Sequence, residues 1–224
     1  RVAGLDPDEE ALTELREGLD GDLLLVPGDA GREADVIDTA DRLSEWLDGA
    51  PLTCLVNNAG IADPYARPLE DLSLADFQSW IDASLTAAFL CSRSCLPFLR
   101  RGEGGSIVNI SSTRAVMSEP DCFGYAAAKG GLDALTHAMA VSLGPDIRVN
   151  AIRPGWIETR NWQKEGTREK VEHREQDKAQ HPAGRVGRPA DIADTVHWLI
   201  GAGFVTGQAI NVDGGMTVKM IYED

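Results

Sequence analysis

The stretch "SSTRAVMSEPDCFGYAAAKGG", residues 111–131, decides how this chain is read. It holds Tyr125, with Lys129 four positions later and Ser112 thirteen positions earlier. The run "GSIVNIS" (105–111) just before it reads as a strand, and "GYAAAKGGLDALTHAMAVSLG" (124–144) reads as a helix. On a helix, residues four apart share a face, so Tyr125 and Lys129 point into the same space. An ammonium near a phenol favours the phenolate and lowers a pKa that is ~10 in isolation. Tyr125 then comes within range of proton transfer at neutral pH. Only alanines lie between the two, which leaves the approach open. Ser112, at the strand end, can bind a substrate oxygen as charge develops on it. A YxxxK spacing alone also arises on ordinary amphipathic helices, with an exposed lysine and a half-buried tyrosine. The neighbouring sequence has to decide.

Outward from this stretch, strand and helix patterns alternate. "RVAGLD" (1–6), "DLLLVPGD" (22–29), "LTCLVNNAG" (52–60, strand then turn), "IRVNAIRPG" (147–155) and "QAINVDGG" (208–215) read as strands. Helices are expected over about 8–18, 32–48, 74–99 and 189–200, and residues 160–181 as a polar, mobile helical excursion. The 74–99 segment is apolar nearly all round, which suggests burial on more than one side. Apolar strands alternating with helices argue for an α/β fold, a Rossmann-like doubly wound parallel sheet with helices on both faces. In such sheets ligands bind beyond the carboxyl ends of the strands.

Composition limits the candidates. A chain of 224 residues, 43% hydrophobic, fits one domain with a substantial core. A formal charge of −15 opposes phosphate backbones and excludes nucleic acid as the expected partner. No apolar run approaches the ~18–20 residues of a membrane span, and no signal peptide opens the sequence, so the expected location is the cytoplasm. Cys54, Cys91, Cys95 and Cys122 form no CxxC and no disulfide spacing. Cys91 and Cys95, one helical turn apart, have no second ligand pair nearby, so buried or reduced thiols are expected and no metal site.

The strand ends carry Asp6, Asp29, "NNAG" (57–60), Ser112 and "RPG" (153–155). A carboxylate at Asp6 can accept hydrogen bonds from a ribose diol and would repel a 2′-phosphate, which favours NAD over NADP. No arginine stands beside it in "DPDEE", and the competing role is a helix cap, which suits Asp8 as well. Asp29 can receive an adenine amino group or merely end a strand. "NNAG" lets a ligand approach the backbone, and its asparagines can pin the turn.

"LVNNAG", "GSIVNISS", "YAAAKGGL", "IRVNAIRPGWIET" and "FVTGQAINVDGG" occur in this order, and the series resembles the short-chain dehydrogenase/reductase family throughout residues 1–224. The "STRAVMSEP" segment and the "VDGGM…MIY" ending resemble a bacterial-type branch of poorly assigned oxidoreductases. The resemblance implies that Tyr125 is the general acid/base, that Lys129 lowers its pKa and holds the nicotinamide ribose, and that Ser112 orients the substrate oxygen. It implies that Asp6 takes the adenosine ribose and Asp29 the adenine, while Asn57, Ala59 and Gly60 line the cofactor. Pro154, Gly155, Ile157 and Thr159 would border the nicotinamide, with Thr159 facing its amide. A hydride would then pass between NAD and a secondary alcohol or ketone. The family commonly forms tetramers through the helices equivalent to 74–99 and 124–144, so a homotetramer, or at least a homodimer, is expected.

Two departures stand out. The family's TGxxxGxG loop, after its first strand, has no counterpart, because the sequence opens at what resembles the second strand. The expectation is two unpaired neighbouring strands, weak dinucleotide binding and a chain shorter than the biological one. In the long helix the family's N-x-x-G reads "SLTA", with Ser84 and Ala87 in place of asparagine and glycine. That asparagine is thought to hold a water in a proton relay, so an altered relay is expected. His137, His197, Trp80 and Trp198 read as packed or interfacial, Trp156 and Trp162 as flanks of a closing segment, and "KEGTREKVEHREQDK" (164–178) as a solvated helix face that can serve as a lid. Two rivals remain: an NADPH-dependent 3-oxoacyl-thioester reductase, and a degenerate member that binds nucleotide or a protein partner without turnover.

Overall fold

The apolar runs fold as six parallel strands, in a computed structural model that describes residues 1–220. They are β1 (Val2–Asp6), β2 (Leu23–Pro27), β3 (Cys54–Asn57), β4 (Gly105–Ile110), β5 (Ile147–Pro154) and β6 (Ala209–Val212). The helices between them are α1 (Glu9–Gly18), α2 (Glu33–Leu47), α3 (Leu74–Trp80), α4 (Ala87–Leu99), α5 (Phe123–Leu143), α6 (Glu175–Ala179) and α7 (Pro189–Gly201). Every pairing is parallel, as buried strands joined by helical crossovers require. The strands form two sheets, β1-β2 and β3-β4-β5-β6. Among the described residues β1 pairs only with β2, and β3 only with β4; the strands flanking the expected gap do not close it. Ile221 and Tyr222, in the ending that carried part of the resemblance, lie outside the described residues.

The larger sheet is covered on both faces. On one, Leu43 and Leu47 of α2, Phe98 and Leu99 of α4 and Ala140 of α5 pack on Ile107, Ile147 and Val149. On the other, Val108 and Ile152 meet Leu199, with Ile192 and Val196 of α7 packed alongside. Adjacent residues of β4 thus serve opposite faces, and each fully buried Leu, Ile or Val contributes roughly 1.5–3 kcal/mol. A polar thread crosses this core: Asn57 Nδ2 donates to Ser92 Oγ (3.0 Å) and Asn109 Oδ1 (2.8 Å), and Asn109 Nδ2 donates to Thr136 Oγ1 (2.8 Å). Such a satisfied chain has one good register, so it fixes β3, β4, α4 and α5 relative to one another.

Two elements differ from their sequence reading. The 74–99 segment is not one α-helix: Ser73 caps α3 by accepting from Asp76 N at 3.0 Å, and a π turn over Ile81–Thr86 precedes α4. The extra residue in that turn carries Ser84 inward, where it is 2% exposed. Residues 160–181 are not one helical excursion either, but two short 3₁₀ turns followed by α6. The charge run is solvated along most of its length, as expected, but its start is tied to α1. Lys164 Nζ reaches Asp8 Oδ2 (2.9 Å) and Glu10 Oε2 (2.7 Å), and Glu165 N donates to Glu14 Oε2 (2.9 Å). The carboxylates of α1 and its cap thus hold the segment down. Asp8 caps α1 as expected, accepting from Ala11 N at 3.0 Å. No helix among the described residues is long and apolar enough to cross a membrane.

Candidate functional site

Beyond β4 the backbone stays pinned to its neighbour, with Ser111 N donating to Ile152 O at 2.8 Å. The next residue, Ser112, starts a 3₁₀ turn, and its Oγ accepts from Arg114 N at 3.1 Å. Ser111 Oγ donates to Lys129 O (3.1 Å) and Lys129 Nζ donates to Ile110 O (2.9 Å), which locks the first turns of α5 against the strand end. Tyr125, one turn earlier on the same helical face, lies close enough to Ser112 for the serine hydroxyl to draw its pKa down, and Lys129 Nζ lies 5.6 Å from the centre of its ring. Ser112, Tyr125 and Lys129 are therefore brought together. A cleft of about 1700 Å³ opens at this end of the sheet, and Ser112, Tyr125, Pro154, Gly155, Ile157 and Thr159 all line it.

The electrostatics depart from expectation. Burial holds the Tyr125 phenol above its ordinary 10, although the Ser112 hydroxyl and the Arg114 charge pull it down. Lys129 is not the cation that opposes this rise. Burial pushes its own ammonium down to about 8, against the upward pull of Asp133. Lys129 Nζ is turned toward the Ile110 carbonyl, so it sits beneath the ring rather than beside the hydroxyl. Arg114, two residues past Ser112, carries the charge that acts on the phenol, and the sequence reading passed over it. The available signal was a lone cation between Ser112 and Tyr125 in a chain of net charge −15.

Ser84 Oγ is buried and without a hydrogen-bond partner. A Cβ on Gly60 would lie 2.9 Å from Ser84 Oγ and 3.4 Å from Lys129 Nζ, so this turn, the π turn and the lysine converge on one small space. A larger residue there would have to displace one of these atoms. The same holds at Gly155, whose Cβ would meet Asp213 Cβ at 2.7 Å.

The other expected positions scatter. Asp6, the last residue of β1, and Asp29, beyond β2, stand exposed, each closing a tight turn: Asp6 Oδ1 accepts from Asp8 N (2.9 Å) and Asp29 Oδ1 from Gly31 N (2.8 Å). Neither lines the cleft. The Asn57 side chain is spent in the buried thread; its neighbour Asn58 lines the cleft, while Ala59 and Gly60 are exposed behind it. His137 is exposed on α5, and His197, read as packed or interfacial, is exposed on α7 and lines the cleft. Trp156 lines it too, edge-on to His173 at 5.4 Å, whereas Trp162 does not. Trp80 is core and Trp198 half-exposed. All four cysteines are free, with burial pushing Cys54 and Cys91 to about 11 and Cys95 to about 12, so these three thiols are inert. No cluster of three or more metal-ligating side chains exists among the described residues.

A phenol and an amine set on one helix against the carboxyl end of a parallel strand put two proton-exchanging groups where ligands of such sheets bind. The chain belongs to the short-chain dehydrogenase/reductase family: a family model described as "Enoyl-(Acyl carrier protein) reductase" matches residues 1–217. It is 45% identical over 234 residues to an uncharacterized oxidoreductase of Thermotoga maritima, covering 100% of this chain and 89% of that protein. It is 36% identical over 217 residues to cis-4-hydroxycyclohexanecarboxylate dehydrogenase of Sinomonas cyclohexanicum, covering 91% and 84%. The solved structure of an apo SCOR enzyme from Clostridium thermocellum superposes with a TM-score of 0.85 at 37% identity, covering 99% of this chain and 84% of that one. The expected branch of poorly assigned oxidoreductases fits the first of these relatives.

Proposed function

We propose that this protein interconverts a secondary alcohol and its ketone with NAD(H), using Tyr125 as the proton-transfer group. The observation that carries the reading is the Ser112–Tyr125 contact with Lys129 beneath it, at the strand-end cleft. The residues present fit the nicotinamide end of the cofactor. Gly60 and Gly155 leave spaces that a Cβ would fill, and Pro154, Ile157 and Thr159 border the same cleft. Asp6 would hold the adenosine ribose and Asp29 the adenine; a carboxylate at Asp6 favours NAD, since it would repel a 2′-phosphate. When bound, the nicotinamide supplies the hydride acceptor for oxidation and the donor for reduction.

The chain's own residues do the rest. In oxidation the Ser112 hydroxyl donates to the substrate oxygen and holds its carbon toward the nicotinamide edge of the cleft. Oxidation requires Tyr125 as the phenolate, its own proton released first to the cleft it lines; Oη then takes the substrate hydroxyl proton as the hydride leaves, and in reduction the phenol gives its proton back. Lys129, poised at about 8, gains and loses a proton near working pH at the Gly60 turn, which the Ser84 hydroxyl also borders. The same reading includes self-association through α4 and α5, which present Phe89 and Val141 to solvent at 46% and 84% exposure.

A second reading, NADPH-dependent reduction of a 3-oxoacyl thioester, is favoured by the acyl-carrier description of the matching family model. Titration of the protein with NAD and NADP, then a panel of sugar, steroid, acyl and polyol substrates, decides between them. NAD binding is expected to be the tighter. Tyr125→Phe is expected to cut turnover by about 10²–10⁴ while nucleotide affinity holds. Failure to bind either nucleotide, or an active Tyr125→Phe, overturns the proposal.

A further inference from the structure

We propose that Arg114 is the receptor for a carboxylate on the substrate, which makes the preferred substrates hydroxy acids and their oxo acids. The inference rests on the cleft being the dehydrogenase site and names what that site selects. Arg114 leaves the chain two residues after Ser112 and lines the cleft beside Ser112 and Tyr125. Its position is fixed from several sides. Its backbone N–H is bound to Ser112 Oγ (3.1 Å), its Nη1 donates to Cys122 Sγ (3.4 Å), and its guanidinium lies 5.8 Å from the Tyr65 ring centre. Its Nη2 pairs with Glu119, which also accepts from the Tyr65 hydroxyl at 2.9 Å.

The two partners of that ion pair are not equivalent. The Arg114 side chain is 22% exposed and that of Glu119 52%, so the cation is sunk in the wall and its carboxylate stands at the mouth. A guanidinium presents five N–H donors in a plane and takes carboxylates two oxygens at a time. An exposed counter-ion of this kind contributes little to stability and yields to a competing anion. Glu119 thus occupies the place a substrate carboxylate would take or share, much as an internal surrogate.

Charge balance points the same way. The whole chain carries −15, yet the cleft is lined by three cations, Arg114, Arg174 and Lys219, against two carboxylates, Glu119 and Asp177. Asp177 is already held by Arg174 at 2.7 Å. A neutral substrate has no use for that local reversal of sign, whereas an anionic one is drawn to it and oriented by it. With the carboxylate on Arg114, the carbinol of a hydroxy acid is left to Ser112 and Tyr125.

The test compares 4-hydroxycyclohexanecarboxylate with its carboxamide, matched in shape and different in charge. For the wild-type protein with NAD, kcat/KM is expected to favour the acid by roughly 10–100-fold, the range a charged hydrogen bond supplies. Arg114→Gln takes its charge from Tyr125 and so lowers kcat for acid and carboxamide alike, but it removes the preference itself through a rise in KM confined to the acid; Arg114→Lys restores part of both. Glu119→Gln lowers KM for the acid, because the competing carboxylate is gone. Calorimetric titration with cyclohexanecarboxylate, which lacks the reacting hydroxyl, reads the receptor without turnover. Equal use of acid and carboxamide, or an equal loss of kcat/KM for both in Arg114→Gln, overturns the receptor and leaves the dehydrogenase standing. Carboxylate binding that disappears in Arg114→Gln, in a protein that oxidises no alcohol, supports the receptor and overturns the dehydrogenase instead.

Discussion

At Tyr125, burial raises the phenol's pKa and the Ser112 and Arg114 side chains lower it, so the group is tuned by its neighbours across the strand end rather than by the lysine. Lys129 is tuned too, but downward, and Ser84 Oγ, buried and unpartnered, borders the Gly60 turn together with Lys129 Nζ. An orphaned hydroxyl next to a titrating amine is where a water-borne proton would pass. Ser84→Asn, whose amide reaches farther and offers two donors and an acceptor, is expected to raise kcat on the order of tenfold, and Ser84→Ala to lower it by a similar factor, with KM little changed in both. Steady-state kinetics of the two variants checks this, and two unchanged kcat values would discard the relay. Ser112, Tyr125 and Lys129 were legible because strand end and helical spacing place them almost without tertiary information. Arg114 was not, because its contacts with Tyr65, Glu119 and Cys122 come from loops whose paths no periodicity records.

Among the elements, those with strong apolar periodicity and a turn on each side fell within a residue or two of their expected bounds: β4 at Gly105–Ile110 and α5 at Phe123–Leu143 are examples. The 74–99 segment was legible as helical but not in its interior break, since a π turn leaves the residue types unchanged and only rotates them. The consequence of that rotation is seen at Trp80. It ends α3, donates from Nε1 to Asp63 O at 3.0 Å, and lies across α5 so closely that a Cβ on Gly124 would stand 2.4 Å from its Cε3. Gly124 is helical and needs no unusual backbone angle; the indole alone demands it. Gly124→Ala is therefore expected to destabilise the fold by about 1–3 kcal/mol through overpacking. In a Trp80→Leu background the same substitution should cost little, or even gain from the higher helix propensity of alanine. Thermal or urea unfolding of the four proteins closes the cycle, and an unchanged cost without the indole would refute the contact. The polar run over 160–181 was misread for the opposite reason. Its charges satisfy a helix rule locally, but α1 offers Asp8, Glu10 and Glu14 at the right distance, and tertiary pairing wins over local propensity.

Taken whole, the molecule is a strongly acidic chain whose cleft wall, from residue 156 to 191, is held by arginine–carboxylate pairs. Glu158 accepts from Arg160 N (2.9 Å), Nε (2.9 Å) and Nη2 (2.6 Å), Asp177 from Arg174 Nη2 (2.7 Å), and Asp191 from Arg185 Nη2 (2.7 Å). The arginine partner is the first cause in each case and brings all three carboxyls to about 2, from ordinary values of 4.5 and 3.8. A carboxyl whose pKa falls on folding stabilises the native state above its unfolded value, and that contribution fades as pH drops toward its folded value. The window is therefore from about 4.5 down to about 2. Glu158 takes three hydrogen bonds from Arg160, its side chain is 12% exposed, and His173 Nε2 stands 3.4 Å away as a further cation once protonated. Glu158→Gln keeps the shape and removes the charge. It is expected to lower Tm by about 2–4 °C at pH 7, a shift typical of losing about 1 kcal/mol in a chain of this length. The difference should be intact at pH 5, shrink by pH 3 and approach zero near pH 2, where the wild-type carboxyl is itself half protonated. Melting curves of both proteins across that range would expose a Glu158 role unrelated to charge as a Tm difference that does not move with pH.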